Sequence, residues 1–279
     1  MLSYRHAFHA GNFADVLKHS VLSLILEYMT IKEKGYTYID SHSGAGNYSL
    51  SDDFAQKTGE YQQGIAKLIN NSDLPKVLLP YIELVKALNT EDKLNYYPGS
   101  PGVAKNFSRR QDSAHLFELH STDIEHLKQF CLSWNKSFVS LSDGYQGLLG
   151  LLPPPSRRGL ILIDPPYELK EDYTKAVSTI VKAYKKFATG IYILWYPVVK
   201  RAYIDNMISS FGNSSVTNLL RVEFCRQPDT EAYGMTGTGL FIVNPPWQLA
   251  KQLADLLPYL QIHLGQEGSQ LVIEQLIAE

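Results

Sequence analysis

The sequence predicts an α/β fold in which helices cover both faces of a mostly parallel sheet. Short runs of aliphatic and aromatic residues recur along the chain, separated by stretches with helical periodicity. The clearest run, residues 159–163, contains no polar residue, as expected of a strand buried on both faces. Several runs end on an acidic residue, at the strand end where sheets of this class bind ligands.

The composition is that of a globular chain without a strong charge. Its 279 residues are enough for one large domain or for one domain with an insertion. The formal net charge is −2, so any binding to nucleic acid must come from local patches. Cys131 and Cys225 lie far apart in no metal-binding spacing, which argues against a disulfide framework or a zinc site. Without a signal-peptide pattern or a membrane-spanning apolar run, we expect a soluble, cytoplasmic protein.

The N-terminal segment is rich in cationic and aromatic residues and precedes a predicted helix. Residues 1–11 have no periodicity, and Asn12 then provides a helix N-cap. Apolar residues follow at helical spacing, with Lys18 and His19 near the edge of the apolar face. The histidines fit no standard metal pattern, so no metal site is predicted. The segment is either a frayed terminus or a flap over a substrate.

A glycine turn follows the first predicted strand, residues 36–40. Residues 41–46 include Gly44 and Gly46, and small residues at this point let the backbone approach a ligand closely. A full Gly-x-Gly-x-x-Gly pattern is absent, which argues against binding of a dinucleotide phosphate. S-adenosylmethionine has no phosphate and fits such a turn.

Residues 50–105 are predicted to form an inserted helical subdomain, which leaves 1–49 and 106–279 for the main domain. The region shows short helical patterns and, at residues 97–102, a cluster of turn residues that includes Ser100. Ser100 is expected near the ligand end of the sheet. The subdomain either contacts a large substrate or is surface elaboration, and both interpretations stay open.

Acidic residues end the second and third predicted strands. Glu118 follows residues 114–117 and is suited to accept hydrogen bonds from ribose hydroxyls. Its distance from Gly46 far exceeds the usual spacing of about 20 residues, and the insertion accounts for the difference. Asp143 follows residues 137–142 and either accepts the adenine amino group of a cofactor or forms a turn with Gly144.

The fourth predicted strand ends on Asp164-Pro165-Pro166-Tyr167. Prolines cannot extend a central strand, so the chain leaves the sheet at Asp164. The Asp164 carboxylate and the Pro165 carbonyl suit the two N–H groups of a nucleobase amine, and Tyr167 suits stacking on the base. The tetrapeptide resembles the catalytic motif of amino-methyltransferases that use S-adenosylmethionine. The alternative is a strand that merely ends in a rigid turn.

The C-terminal third predicts a helix over 171–187, a strand over 190–195 ended by Tyr196-Pro197, a late β-pair and a helical tail. Basic pairs at 157–158 and 200–201 suit phosphates but are more typical of surface. Asn244-Pro-Pro-Trp247 at the end of the β-pair is a rival to the Asp164 motif. Chain order favours Asp164, because Asn244 follows every candidate cofactor element.

The whole pattern resembles the RlmJ-type 23S ribosomal RNA adenine-N6 methyltransferases along nearly the entire chain. The motifs that carry the resemblance are Met1–His6, Phe8–Asn12, Asp15–His19, His42 with Gly44–Gly46, Tyr97–Gly102, Asp143-Gly144 and Asp164–Tyr167. The family more often has Thr-His-Ala at 41–43, a small exchange that leaves His42 in place.

The resemblance implies a Rossmann-like class I methyltransferase fold with an inserted helical subdomain. It implies S-adenosylmethionine as cofactor, 23S ribosomal RNA as partner, no metal, and a monomer. The residues it assigns to cofactor contact are His19, His42, Ser100, Glu118, Asp143, Gly144 and Asp164. Asp164 is also the implied proton acceptor, acting with Pro165 and Tyr167, and Tyr4 and Lys18 are the implied substrate contacts.

Two other functions are consistent with the same residues. A DNA adenine or protein glutamine amino-methyltransferase keeps the site and changes only the substrate. A non-catalytic RNA-binding protein needs the basic pairs and the N-terminal segment, but neither Glu118 nor Asp164.

Overall fold

The computed structural model describes residues 5–90, 93–230 and 234–279. Its strands are β1 (Thr37–Asp40), β2 (Asn47–Ser49), β3 (Tyr96–Pro98), β4 (Ser113–Phe117), β5 (Ser137–Ser140), β6 (Gly159–Ile163), β7 (Ile191–Val198), β8 (Leu219–Cys225), β9 (Gly237–Val243) and β10 (Gln270–Ile277). Its α-helices are α1 (Phe13–Thr30), α2 (Asp53–Thr58), α3 (Leu79–Ala87), α4 (Ser100–Phe107), α5 (Ser121–Cys131), α6 (Gly144–Gly150), α7 (Glu171–Lys186), α8 (Arg201–Gly212) and α9 (Leu249–Leu264).

The described strands form an eight-stranded sheet in the order β10-β8-β9-β7-β6-β1-β4-β5, and a separate β2-β3 pair. Strands β5, β4, β1, β6 and β7 are parallel, whereas β9 and β10 run the other way. Strand β1 lies between β4 and β6, with Asp40 in register with Leu116 and Leu162. The chain order reverses at β1, and ligands bind at the carboxyl ends of the strands beside such a point.

Both faces of the sheet are covered, as the sequence predicts for this α/β class. One apolar core joins the sheet to α1, α3, α4, α5 and α9, and a second joins it to α6, α7 and α8. Strand β6 is buried at every position, which confirms the interpretation of its uninterrupted aliphatic run.

Helix α1 begins as predicted but is buried far more completely. The Asn12 side chain accepts hydrogen bonds from two N–H groups of the first turn, one of them from Asp15. Lys18 and His19, expected at the edge of an apolar face, are buried, because α1 packs against α3, α4, α9 and β9. Its carboxyl end is held by Arg109, which donates to the Thr30 carbonyl at 2.8 Å. Arg158 donates to the Met29 carbonyl at 2.8 Å.

Three predicted element boundaries are wrong. Strand β7 does not stop at Tyr196-Pro197 but continues to Val198 alongside β9. Proline is tolerated there because the pairing of β7 with β6 ends at Leu194, so no parallel ladder is interrupted. The predicted turn at 97–102 is the end of β3 followed by the start of α4. The tail is not only helical, since β10 adds an edge strand to β8.

Residues 50–105 contain α2, α3, β3, the start of α4 and short 3-10 helices. Their assignment as a separate subdomain stays a prediction. No helix in the described part of the chain combines the length and apolar character that a membrane span requires.

Candidate active site

A cavity of about 270 Å³ opens at the carboxyl edge of the sheet, beside β1, β4 and β6. Its lining includes seven residues that the sequence places at a site: Lys18, His19, His42, Ser100, Glu118, Asp143 and Asp164. They come from α1, the β1 turn, the start of α4 and the ends of β4, β5 and β6. Tyr4 lies outside the described residues.

Asp164 is held by a buried cation that the sequence did not pair with it. The Lys18 ammonium donates to Asp164 Oδ2 at 2.6 Å and lies 2.9 Å from Asp15 Oδ1. Burial alone lowers the pKa of Lys18, but the two carboxylates raise it above its usual value. The lysine therefore stays charged, and it keeps one oxygen of Asp164 in a fixed place. Helical periodicity cannot reveal this pair, because its partners are 146 residues apart.

His19 presents a neutral imidazole to the cavity. Its Nδ1 shares a hydrogen bond of 2.8 Å with the Tyr97 hydroxyl, which lies 2.8 Å from the Tyr81 hydroxyl. Burial lowers the pKa of His19 to about 3. Its Nε2 is buried without a hydrogen-bond partner in the described structure. A buried polar atom of this kind is suited to a polar group of a ligand.

The turn after β1 is fastened to the end of β4. Gly44 N–H donates to Glu118 Oε2 at 2.8 Å, and His120 N–H donates to Oε1 at 2.7 Å. Burial raises the pKa of Glu118 despite these bonds. Gly44 has a φ of +58°, and a Cβ there would lie 2.0 Å from the Tyr48 hydroxyl. A carboxylate retains lone pairs beyond these two bonds, so Glu118 can still accept from a ligand.

His42 is oriented by its neighbours. Its Nδ1 lies 2.7 Å from the Ser41 hydroxyl oxygen, and its ring makes an edge contact with Tyr145 at 4.9 Å between centroids. Burial lowers the pKa of His42 to about 4, so the ring is neutral near pH 7.

Asp143 caps α6, which corresponds to the turn-forming role left open by the sequence. Its Oδ1 accepts from Tyr145 N–H at 2.8 Å, and its Oδ2 lies 3.2 Å from the Lys175 ammonium. Gly144 does not line the cavity, but it allows α6 to approach the β1 turn. A Cβ on Gly144 would lie 1.9 Å from the Ser41 carbonyl oxygen.

Asp40 is a buried carboxylate beneath the cavity for which sequence reasoning gave no role. Its Oδ2 accepts from the Ser100 hydroxyl at 2.6 Å and from the Tyr38 hydroxyl at 2.7 Å. Burial raises the pKa of Asp40 to about 6, against the opposing effect of these hydrogen bonds. Its position at the end of β1 was the available signal. Its hydrogen bond with Ser100 joins residues 60 positions apart, and no sequence pattern indicates that bond.

Tyr167 does not line the cavity but packs against neighbouring aromatic residues. Its hydroxyl donates to the Trp195 carbonyl at 2.6 Å, and its ring packs on Tyr173 at 4.4 Å between centroids. Pro165 is buried, and Pro166 lines the cavity. Stacking of a base on Tyr167 stays a prediction.

The N-terminal segment reaches the cavity. Arg5 donates to Asp123 at 3.0 Å, and the His6 imidazole lies 2.9 Å from Asp15 Oδ2. His6 and Asp123 both line the cavity. The segment is thus attached at the mouth, and a frayed terminus is not what residues 5–11 form.

The rival motif lies at the opposite edge of the sheet. Strand β9 is antiparallel to β7, and the Asn244 amide donates to the carbonyls of Ala188 and Gly190, which precede β7. Trp247 is 85% exposed. Asn244 holds the loop before β7, far from the carboxyl ends of β1 and β6, so it lies away from the cavity.

One arginine of each basic pair serves the fold. Arg158 bonds to carbonyls at the end of α1, and Arg201 forms ion pairs with Glu223 and Asp229. No group of three or more histidine, cysteine or acidic residues in the described ranges is placed to hold a metal ion.

A cavity at the switch point of this sheet, with carboxylates at the ends of β1, β4 and β6, is the ligand site expected of a Rossmann-like α/β enzyme, and its Asp-Pro-Pro-Tyr turn fits the methyltransferase class. The family described as "Ribosomal RNA large subunit methyltransferase D, RlmJ" matches residues 33–275. The chain belongs to that RlmJ family.

Individual relatives agree with this assignment. The chain is 49% identical to an Escherichia coli protein named "Ribosomal RNA large subunit methyltransferase J", over 96% of each chain. It is 46% identical to a Haemophilus influenzae protein of the same name, again over 96% of each. A crystal structure of a Legionella pneumophila protein is 40% identical with a TM-score of 0.90, covering 96% of this chain and 98% of that one.

Proposed function

We propose that this protein transfers a methyl group from S-adenosylmethionine to the N6 amino group of a specific adenosine in 23S ribosomal RNA. The observation that carries the proposal is Asp164, oriented by Lys18 at the carboxyl end of β6 and facing the cavity. The names of the Escherichia coli and Haemophilus influenzae relatives support ribosomal RNA as the substrate. We further propose that the enzyme acts as a cytoplasmic monomer.

The cavity has features that fit the cofactor. His19 Nε2 is a buried polar atom without a partner in the described structure, suited to the amino-acid end of the cofactor. The Gly44 turn leaves room that a Cβ would fill, and Glu118 retains lone pairs for ribose hydroxyls. Gly144 brings α6, and with it Asp143, close to the same cavity. When bound, S-adenosylmethionine would supply an electrophilic methyl group on a positively charged sulfur.

Asp164 and the Pro165 carbonyl would hold the two N–H bonds of the adenine amine. Lys18 already donates to Asp164 Oδ2, and we propose that the amine donates to Oδ1. These acceptors turn the nitrogen lone pair away from the ring and out of conjugation. The bound cofactor would supply its methyl group to this nitrogen, and Asp164 would receive the proton that the amine loses. Positioning of this kind can supply much of the rate acceleration.

The target adenosine must leave its stack to reach this cavity, which costs roughly a few kcal/mol. Tyr167 and the N-terminal segment with Tyr4 are the proposed base contacts. Stacking of the base on Tyr167 requires its ring to move, because the ring packs on Tyr173 and does not line the cavity.

The deciding experiment measures methyl transfer to deproteinised 23S ribosomal RNA from cells that lack this activity, with nucleoside analysis of the product. We expect N6-methyladenosine from the wild-type protein and none from Asp164→Ala. Trp247→Ala is the matched control from the rival motif, and its exposed side chain predicts unchanged activity. Activity of Asp164→Ala near the wild-type level would refute the assigned role.

The other substrate classes are tested in parallel arms. Methyl incorporation into DNA or into protein, with none into ribosomal RNA, would replace the proposed substrate and keep the site. Failure of the wild-type protein to bind S-adenosylmethionine would favour a non-catalytic RNA-binding protein.

A further inference from the structure

A chain of charged contacts runs from the N-terminal segment to Asp164, and its middle member is Asp15. This carboxylate is 1% exposed and lies in the first turn of α1. Its Oδ2 is 2.9 Å from His6 Nε2 and accepts from the Gly11 N–H at 3.0 Å. Its Oδ1 is 2.9 Å from the Lys18 ammonium, which is itself 2.6 Å from Asp164 Oδ2.

We propose that Asp15 is a positioning residue for the methyl transfer, fixing Asp164 through Lys18 and tying both to the N-terminal segment at the cavity. The inference rests on the proposed function. Asp15 does not line the cavity, so it acts only through the residues that it holds.

Lys18 needs two anchors to hold its ammonium in place. A lysine ammonium ends a flexible four-carbon stem, and one carboxylate does not fix its position. Lys18 is 3% exposed, so little water is available to take the place of a lost partner. Asp15 is one helical turn before Lys18, so the rigid backbone of α1 sets where its oxygens lie.

The two oxygens of the Asp15 carboxylate contact two different parts of the chain, the N-terminal segment and Lys18 of α1. Burial favours its protonation, but the charges of His6 and Lys18 hold the pKa of Asp15 well below its usual value. An ionised carboxylate only accepts hydrogen bonds, so His6 Nε2 must be the donor. Oδ2 therefore holds the N-terminal segment, and Oδ1 holds Lys18.

The consequence is a geometric coupling between the segment and the acceptor of the amine. The hydrogen bonds of His6 and Gly11 to Oδ2 oppose rotation of the Asp15 side chain. Oδ1 then holds the Lys18 ammonium in its position next to Asp164. When the segment is displaced, Asp15 gains rotational freedom, and the place of the Asp164 carboxylate is less well defined. Displacements of about 1 Å at a reacting group can reduce rates 100-fold.

The test is Asp15→Asn, which keeps the shape and removes the charge. We expect kcat for methylation of 23S ribosomal RNA to fall about 10-fold to 100-fold, with the Kd for S-adenosylmethionine unchanged. Glu223→Gln is the matched control, because Glu223 is also 1% exposed and is paired with Arg201 and Arg221, but lies away from the cavity and from α1. It should lose stability without losing kcat.

A double-mutant cycle separates positioning from general destabilisation. If Asp15 acts through Lys18, adding Asp15→Asn to Lys18→Met causes no further loss in the single-turnover rate constant of methyl transfer. Independent, multiplied losses would contradict the proposal, and so would a wild-type kcat in folded Asp15→Asn. If Asp15→Asn does not fold, Asp15→Glu keeps the charge and displaces the oxygens, and a wild-type kcat in that variant overturns the proposal equally.

A crystal structure of the variant distinguishes this inference from the proposed function. Absence of methyl transfer by the wild-type protein refutes the proposed function alone. In the variant structure we expect Lys18 to have moved from its 2.6 Å contact with Asp164. Retention of that contact with unchanged Asp164 geometry would overturn the role of Asp15.

Discussion

Replacing Lys18 with methionine removes a buried ammonium and leaves two buried carboxylates without their shared cation. The ammonium lies 2.9 Å from Asp15 and 2.6 Å from Asp164, and the side chain is 3% exposed. At an effective dielectric constant of about 20, Coulomb's law gives roughly 6 kcal/mol for each contact, most of which offsets desolvation. Breaking a buried ion pair on one side costs about 3–5 kcal/mol, so we expect unfolding to become about 4 kcal/mol easier at pH 7.

Urea denaturation at several pH values is the measurement. Lys128→Met is the matched control, since Lys128 pairs with Glu125 at the same helical spacing but with both side chains at least half exposed. Such a surface pair contributes at most about 1 kcal/mol. The lowered pKa of Asp15 gives the wild-type protein stability that is present above the carboxyl's unfolded pKa and is lost as pH falls through the lower, folded value.

The difference between wild type and Lys18→Met should therefore narrow as the pH falls below about 4, where Asp15 becomes protonated in the unfolded chain. A loss at pH 7 no larger than that of Lys128→Met would refute the reasoning, and so would a difference that does not depend on pH. Either result would mean that Lys18 is hydrated or mobile and does not hold the two carboxylates.

Two further predictions concern the floor of the cavity. Gly144→Ala brings a Cβ within 1.9 Å of the Ser41 carbonyl oxygen, so we expect a stability loss of about 1–3 kcal/mol and weaker S-adenosylmethionine binding, measured by denaturation and calorimetric titration. The raised pKa of Asp40, about 6, means that the folded state holds this proton more tightly than the unfolded chain. Its contribution to stability must then decline as pH rises from about 4 to 6, and Asp40→Asn should remove that decline in denaturation curves; an unchanged slope would contradict the assignment.

The sequence was sufficient where a short rule connects residue type to position. The aliphatic run before Asp164, with two prolines after it, predicts a central strand that ends at the ligand edge, and β6 is that strand. The same reasoning brought Glu118 and Asp143 to one cavity. Strand ends of a parallel sheet converge whatever the intervening chain does, so the long stretch between β1 and β4 did not disturb the prediction.

The parts that were missed depend on contacts between distant residues. Helical periodicity placed Lys18 at the edge of an apolar face. The periodicity of one helix carries no information on its packing partners, and here β9 and α9 enclose α1 from other sides. Strand β10 is an edge strand with several exposed positions, so its pattern lacks the continuous apolar run that marked β6. The Asp40–Ser100 bond, made between residues 60 positions apart, depends on how the chain returns to the sheet.

The fastening of α1 at both ends has a mechanical consequence. A buried helix can slide along its axis or turn about it, and a slip of one residue rotates every side chain by about 100°. The Asn12 cap opposes that motion at one end, and Arg109 and Arg158, from the far edge of the sheet, oppose it at the other. The two arginines thus fix the position of α1 along its axis, and weakening their hydrogen bonds would misalign Lys18 without changing a residue that lines the cavity.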